Sequence, residues 1–325
     1  MSGIIWIIDE EWSDYEIEEE LIKINLPDYE IKYSQKSYEK DLEIFGKNAD
    51  AIICQIDIDM PAEVIRSLEN CKIISIYGTG YEKVDVKAAN EKKIPVVNVP
   101  NFCTEEVSDH VMAFIYYFCK KVHSYTKSLF SERWGIDAVA VAEMPRRLQG
   151  AILFVVGFGN IGMAVARKAK CLGMEVVAYD PYVSKDSFGA LGVRSVSWET
   201  GFKIADFVSI FTRLTPETKL LIGMEEFKMM KNNAVLINTS RGGIVNETEL
   251  VNAIDKGIIA GAALDVLTTE PPDAQNEILK REKILVTPHV SYLTRESLIE
   301  LREKTTNNII MAIKGQKSIM SVNQR

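Results

Sequence analysis

The chain has 325 residues, enough for one large domain or two of ordinary size, and its composition, 47% hydrophobic and 26% charged, is that of a soluble globular protein with an ample core. A net charge of −8 leaves no basic footprint for nucleic acid, and no apolar run reaches membrane-spanning length. The five cysteines (Cys54, Cys71, Cys103, Cys119, Cys171) form no CxxC and no Cys/His metal spacing, which points to reduced thiols in a cytoplasmic protein and to no metal site.

In chain order, MSGIIWIIDEEW opens without a basic segment and turns acidic at once, so it reads as a first strand and not as a signal peptide. Strands are expected at 3–8, 49–54, 72–76 and 95–99, with helices at 15–24 and 61–69, the second opening on Pro61. These strands are apolar on both faces, which suits a parallel sheet covered by helices. A long helical pattern runs from Thr104 to Phe130, and loop-like sequence follows over 132–147. A second block opens at AILFVV (151–156) and continues with strands near 175–179, 205–211, 234–238, 259–264 and 283–286, separated by helical patterns. Asn246-Glu247-Thr248-Glu249 has the form of a capping box, with Asn246 accepting from the first turn and Glu249 reaching back. A last helix spans about 294–314, and its pattern alone assigns it to neither block. The class is α/β with two domains.

Residues 157–162 read GFGNIG. The motif follows the apolar strand AILFVV and opens an amphipathic helix, after which the strand EVVAY ends at Asp180, 23 positions beyond Gly157. That full context is the fingerprint of a dinucleotide-binding unit. Gly157 permits the tight turn, Gly159 lets the backbone approach a pyrophosphate, and Gly162 lets helix and strand pack closely. The helix N-terminus at Asn160 and Ile161 offers free amides to the phosphates. Asp180 would accept from a ribose diol and repel a 2′-phosphate, favouring NAD over NADP. The plain alternatives are a glycine turn without a ligand and an ordinary turn acid before Pro181.

Reduction of a carbonyl by a nicotinamide needs a proton donor and a group that holds the substrate. Three candidates fall at strand ends of the second block, where open α/β sheets bind ligands. NTSRGGIV carries Arg241, suited to bidentate capture of a carboxylate. GAALDVLTTEPP carries Asp265 and Glu270, and VTPHVSYLT carries His289, which a neighbouring carboxylate would orient. Taken singly, Arg241 reads equally as a loop arginine, Glu270 as a surface acid and His289 as a packed histidine. The other histidines, His110 and His123, lie in the long helical pattern and read as structural.

Together with IYGTGYEKVD (76–85), NVPNFCTEEVSDH (98–110), LTPETKLLIG (214–223) and VVAYDPY, these motifs resemble the D-isomer-specific 2-hydroxyacid dehydrogenase family over nearly the whole chain. The similarity is greatest to its phosphoglycerate-dehydrogenase-like and C-terminal-binding-protein-like members. The resemblance implies an NAD-binding Rossmann domain over 101–292 and a flavodoxin-like substrate domain made of 1–100 and 293–325, both with parallel sheets. It implies that Arg241 binds the substrate carboxylate, that His289 is the acid/base, and that Glu270 orients His289 and favours its charged form. The Gly78-Thr79-Gly80 turn would offer amides to the carboxylate. Asp265 would hold the nicotinamide carboxamide, and Thr104, Thr212, Thr239 and Ser240 would line the cofactor groove. The implied cofactor is NAD and the implied assembly a homodimer joined through the NAD domain, with the long helix contributing.

Some positions depart from the family pattern. Phe211 and Arg213 stand where His and Pro are commoner, and Arg213 would bear on NAD preference. Tyr292 stands where many members carry tryptophan or glycine, and would cap a small pocket. The loop CQIDIDM (54–60) carries acids and no arginine, which disfavours a phosphorylated substrate. Because the chain ends at Arg325, no C-terminal regulatory domain is expected. The expected function is an NAD-dependent D-2-hydroxyacid dehydrogenase or 2-oxo acid reductase acting on a small non-phosphorylated acid. The alternative is an NADH-sensing, corepressor-like binding module with little turnover.

Overall fold

The computed structural model describes residues 3–142, 144–316 and 321–324. They fall into two compact units, one of Met1–Phe102 with Thr294–Arg325 and the other of Cys103–Leu293.

The first unit holds β1 (Gly3–Ile8), β2 (Tyr29–Ser34), β3 (Ala51–Gln55), β4 (Ile74–Tyr77) and β5 (Val96–Val97), in the order β2-β1-β3-β4-β5 and all parallel. This is the doubly wound, flavodoxin-like order. Alternation sends Trp6, Ile8, Ile52, Cys54, Ile74 and Ile76 into one buried cluster. From the opposite face, the Ser75 hydroxyl donates to the Thr305 carbonyl in the C-terminal helix Arg295–Ile313, at 3.0 Å. That helix is fastened to the helix Glu16–Asn25 by Arg302, whose Nε and Nη2 donate to Glu18 at 2.9 and 2.6 Å. Glu18 is fully buried and also accepts the Tyr77 hydroxyl at 2.8 Å. A charge so deep is tolerable because a planar guanidinium fork and a phenol satisfy its oxygens.

The second unit holds β6 (Ile152–Val156), β7 (Glu175–Tyr179), β8 (Arg194–Ser195), β9 (Phe207–Ile210), β10 (Val235–Asn238), β11 (Gly261–Leu264) and β12 (Ile284–Val286). Their order is β12-β11-β10-β9-β6-β7-β8, again all parallel. Strand order reverses at β6, so the switch-point crevice lies at the carboxyl ends of β6, β7 and β9. The period of two divides each strand between two cores: Phe154 and Val156 join Phe202, Phe227 and Leu250, whereas Leu153 and Val155 join Val111, Ile115 and Val165. The second core seats the helices Thr104–Lys120 and Asn160–Cys171 against the sheet.

Several local expectations are corrected. β2 is an additional strand; its sequence YEIKYS is largely half-buried and pairs only with β1, so it lacks the apolar signal of a central strand. β8 is likewise a two-residue exposed edge. The helical pattern 104–130 breaks at Lys121, which takes φ +51, and a second helix, Val122–Ser128, follows. The Arg146 amide caps the broken end by donating to the Cys119 carbonyl at 2.9 Å. The segment 132–147 contains the 3₁₀ turn Gly135–Ala138 and the short helix Val139–Ala142, while Glu143 lies outside the described residues. Residues 98 and 99 turn to bond the Gly78–Gly80 loop, which confines β5 to two residues. At the capping box, the Asn246 side chain accepts from the Glu249 amide, but Glu249 Oε2 reaches across to the Met224 amide at 2.5 Å. All five cysteines are free. Among the described residues no helix is long and apolar enough to cross a membrane, and no cluster of His, Cys, Asp or Glu could hold a metal ion.

Candidate functional site

In the second unit the glycine motif forms the turn between β6 and the helix Asn160–Cys171. Gly157 takes φ +92, and a Cβ there would lie 2.9 Å from the Phe211 carbonyl carbon and 3.0 Å from the Thr212 nitrogen. Only glycine lets this turn sit against the backbone leaving β9. A Cβ on Gly162 would lie 2.3 Å from the Gly157 oxygen, so helix and turn meet backbone to backbone. Gly159 differs: no atom lies within 4 Å of where its Cβ would be. Its missing side chain therefore serves no internal packing and leaves open approach to the first-turn amides of Asn160 and Ile161, which have no i−4 carbonyl inside the helix.

Asp180 stands at the end of β7. Its Oδ2 accepts the Phe158 amide at 2.8 Å and its Oδ1 the Tyr182 amide at 2.9 Å. The carboxylate thus braces the glycine turn, and each oxygen keeps a further acceptor position. The hydroxyls of Thr104, Thr212 and Thr239 are buried and have no hydrogen-bond partner among the described residues. Buried hydroxyls are ordinarily satisfied, and these three fall where a cofactor groove is expected. Open space over Gly159, a carboxylate with spare acceptor capacity and three orphan hydroxyls fit a dinucleotide. Ser240 is a partial exception: its hydroxyl donates to Asn238 Oδ1 at 2.8 Å and so can only accept from a ligand. Arg213 is exposed.

The Arg241 loop follows β10 and is built by Asn238, fully buried at the strand end. Asn238 Oδ1 accepts the Ser240 amide and hydroxyl, and its Nδ2 donates to the Arg241 carbonyl at 2.9 Å. A Cβ on Gly242 would lie 2.0 Å from the Leu267 carbonyl carbon, so glycine lets this loop lie directly on the loop leaving β11. In that second loop Glu270 Oε1 accepts the Leu267 amide at 2.8 Å, which turns Oε2 toward His289 Nδ1 at 2.7 Å. Partial desolvation of Glu270 works to raise its pKa. The His289 hydrogen bond and charge, the Leu267 amide and the Arg241 charge outweigh it and hold the carboxyl below its usual range. An ionised carboxylate only accepts, so Nδ1 of His289 carries the proton and Nε2 is left for other partners. The Tyr292 ring meets the His289 ring edge-on, with centroids 6.3 Å apart.

His289 itself takes φ +54, uncommon for a residue with a Cβ. Asp265, 1% exposed, holds the turn. Its carbonyl accepts the His289 amide, its Oδ1 the Val290 amide and its Oδ2 the Ser291 amide, at 2.8, 3.0 and 2.9 Å. The sequence reading gives Asp265 a cofactor role only; the structure adds this internal one. It also brings His110, read as structural, to the same place, with Nε2 3.1 Å from Thr287 Oγ1. Asn238, Thr287 and His110 are thus site-building residues that sequence reasoning passed over. The one local hint was a polar residue at the end of AVLIN and another directly after ILV.

Within the second unit, then, Arg241, Glu270, His289, Asp265 and Tyr292 share neighbouring loops at the carboxyl ends of β10, β11 and β12. The Gly78–Gly80 turn belongs to the first unit. Gly78 takes φ +140, and its amide is already given to the Ile76 carbonyl at 2.9 Å. The Gly78 and Thr79 carbonyls accept from the Val99 amide and from Asn98 Nδ2. Of the three amides expected to serve a ligand, those of Thr79 and Gly80 donate to no group among the described residues.

A family model described as D-isomer specific 2-hydroxyacid dehydrogenase, NAD binding domain, matches residues 112–291. The chain is 35% identical to a D-3-phosphoglycerate dehydrogenase of Archaeoglobus fulgidus over 82% of its own length and 50% of that protein, so it spans half the length of this relative. It is 34% identical to a glyoxylate reductase of Korarchaeum cryptofilum over 86% of this chain and 84% of that protein. A solved D-lactate dehydrogenase of Aquifex aeolicus, complexed with NAD and lactic acid, is 25% identical with a TM-score of 0.84, covering 97% of this chain and 96% of that one.

Proposed function

Because the chain belongs to the D-isomer-specific 2-hydroxyacid dehydrogenase family, we propose that it interconverts a small non-phosphorylated 2-oxo acid and the D-2-hydroxy acid, using NAD. The observation that carries this reading is the 2.7 Å contact between Glu270 Oε2 and His289 Nδ1, beside the Arg241 loop and in the unit with the dinucleotide turn. When bound, NADH supplies the hydride, on the cofactor elements Gly157–Gly162, Asp180, Thr104, Thr212, Thr239, Ser240 and Asp265. Arg241 pairs with the substrate carboxylate. As the keto carbon accepts the hydride, His289 Nε2–H gives its proton to the developing alkoxide, and Glu270 stabilises the imidazolium before transfer. One 2-oxo acid, one NADH and one proton become one hydroxy acid and one NAD⁺. In the reverse direction neutral His289 takes the hydroxyl proton.

A small acid is favoured over a phosphorylated one by the 54–60 loop. Asp57 pairs with Lys36 at 2.7 Å and Asp59 with Lys83 at 2.9 Å, so the loop's acids already engage these two lysines. A dianionic phosphate needs unmatched cationic donors. A homodimer is supported by the 122–136 segment of the second unit, which exposes Phe130, Trp134 and Ile136 at 89%, 80% and 75%. Apolar surface so concentrated marks an interaction site. The free cysteines are compatible with a cytoplasmic location.

The test is a panel of glyoxylate, pyruvate, hydroxypyruvate, a branched 2-oxo acid and 3-phosphohydroxypyruvate, assayed with NADH and with NADPH as control. Consumption of NADH with a non-phosphorylated acid and a D product is expected. NADH binding without consumption for every acid would overturn the reading in favour of a nucleotide-sensing module.

A further inference from the structure

The turn that aims His289 is wired to a residue on a distant helix. Besides the Val290 amide, Asp265 Oδ1 accepts the Thr287 hydroxyl at 2.5 Å. A hydroxyl has one proton. Having given it to Asp265, Thr287 can only accept from its other neighbour, His110 Nε2, at 3.1 Å. The direction of the chain is therefore determined: His110 Nε2–H donates to Thr287 Oγ1, and Thr287 Oγ1–H donates to Asp265 Oδ1. His110 Nε2 is itself 3.8 Å from Asp265 Oδ1. The imidazole is half-buried, with its ring edge-on to Phe114 at 4.4 Å between centroids. Burial pushes its pKa below the ordinary value against the pull of Asp265, so the ring is neutral at pH 7 and its proton resides on one nitrogen.

We propose that His110 is a positioning residue for the acid–base centre, acting through Thr287 and Asp265 on the left-handed turn that carries His289. The proposal rests on the reading of His289 as the acid/base. Packing alone would explain the Phe114 contact but not a polar chain ending on the carboxylate that gathers the amides of Val290 and Ser291. With the chain intact, Asp265 Oδ1 is locked between two donors and its orientation is set from outside the turn. Without the Thr287 hydroxyl, Oδ1 keeps only the Val290 amide, and without His110 the Thr287 hydroxyl can turn away from Oδ1; either change loosens the carboxylate that holds the strained turn and displaces His289 Nε2. Misplacement of a proton donor by about 1 Å costs on the order of 10²-fold in rate.

Two pairs of variants and one spectrum test this. Thr287→Val and His110→Phe remove the chain at nearly constant volume. Thr287→Ser keeps the hydroxyl, and His110→Gln sets an amide N–H near the position of Nε2. Thr287→Val and His110→Phe should lower kcat by about 10–100-fold, with the NADH dissociation constant, read by fluorescence, changed by less than about threefold. The isotope effect with 4-deuterated NADH should rise, and Thr287→Ser and His110→Gln should recover most of the loss. In the cofactor-free protein, ¹⁵N NMR of the histidine side chains should show neutral His110 protonated on Nε2. A proton on Nδ1, wild-type kcat in folded Thr287→Val, or equal losses in Thr287→Ser and Thr287→Val would overturn the proposal. A His289 variant run alongside separates the two levels: wild-type turnover there defeats the acid–base reading itself, whereas its loss together with an active Thr287→Val defeats only the relay.

Discussion

Replacing Glu270 by Gln removes a charge while nearly keeping a shape, and the geometry gives the size of the effect. The carboxylate lies 2.7 Å from His289 Nδ1, with side chains 36% and 30% exposed. Unit charges about 4 Å apart interact by about 1 kcal/mol in water and about 4 kcal/mol near a protein surface. With a third of each side chain in solvent the lower half of that range applies, about 1–2 kcal/mol. The sign follows from Glu270 being held below the usual carboxylate range. A depressed acid contributes its stabilisation above its unfolded pKa and loses it as pH falls through the lower folded value, so its charge is constant wherever an imidazole titrates. Removing it disfavours the imidazolium. The acid limb of hydroxy acid oxidation and the basic limb of 2-oxo acid reduction should both move toward lower pH. The rate should also fall, by about 10–100-fold, because one amide oxygen cannot serve both the Leu267 N–H and the His289 N–H. The assay is kcat/KM against pH in both directions. Unmoved limbs would refute the electrostatic reasoning even if the rate fell.

Three further outcomes follow from the same contacts. Gly159→Ala should leave the thermal midpoint unchanged but weaken NADH binding by about tenfold or more, whereas Gly162→Ala, with its methyl 2.3 Å from a backbone oxygen, should destabilise the fold by about 1–3 kcal/mol; calorimetry and fluorescence titration separate the two. Asp180→Ala should raise the KM for NADH by about 10–100-fold and narrow the preference over NADPH, as the proposed ribose acceptor and the brace on Phe158 are lost together. Arg302→Ala should cost about 3–5 kcal/mol in urea unfolding, since it strands fully buried Glu18, and a Glu18→Gln, Arg302→Met double variant should recover part of this.

Central strands and the nucleotide turn were legible because their causes are local: apolar runs for a sheet covered on both faces, and glycines at fixed offsets from Asp180. What escaped was governed by partners distant in sequence. β2 is an edge strand of mixed polarity that is recognisable only once β1 lies beside it. The break at Lys121 has neither Gly nor Pro to announce it, and its cap comes from Arg146. Glu249 occupies a capping-box position yet caps the neighbouring helix at Met224. His110 read as a packed helix residue because its polar partner is 177 positions away. Arg241, Glu270 and His289 were each ambiguous alone. The contacts that join their loops, Gly242 against Leu267 and Asp265 against Val290 and Ser291, are tertiary.

The central claim is that His289 transfers the proton during hydride transfer to a 2-oxo acid. The most direct measurement is single-turnover oxidation of NADH by the wild type and by His289→Asn, a residue that tolerates φ +54 and so preserves the turn. The rate with the best acid of the panel should fall by about 10²–10⁴-fold in the variant, with NADH binding retained. Near-normal NADH oxidation by folded His289→Asn would contradict the account.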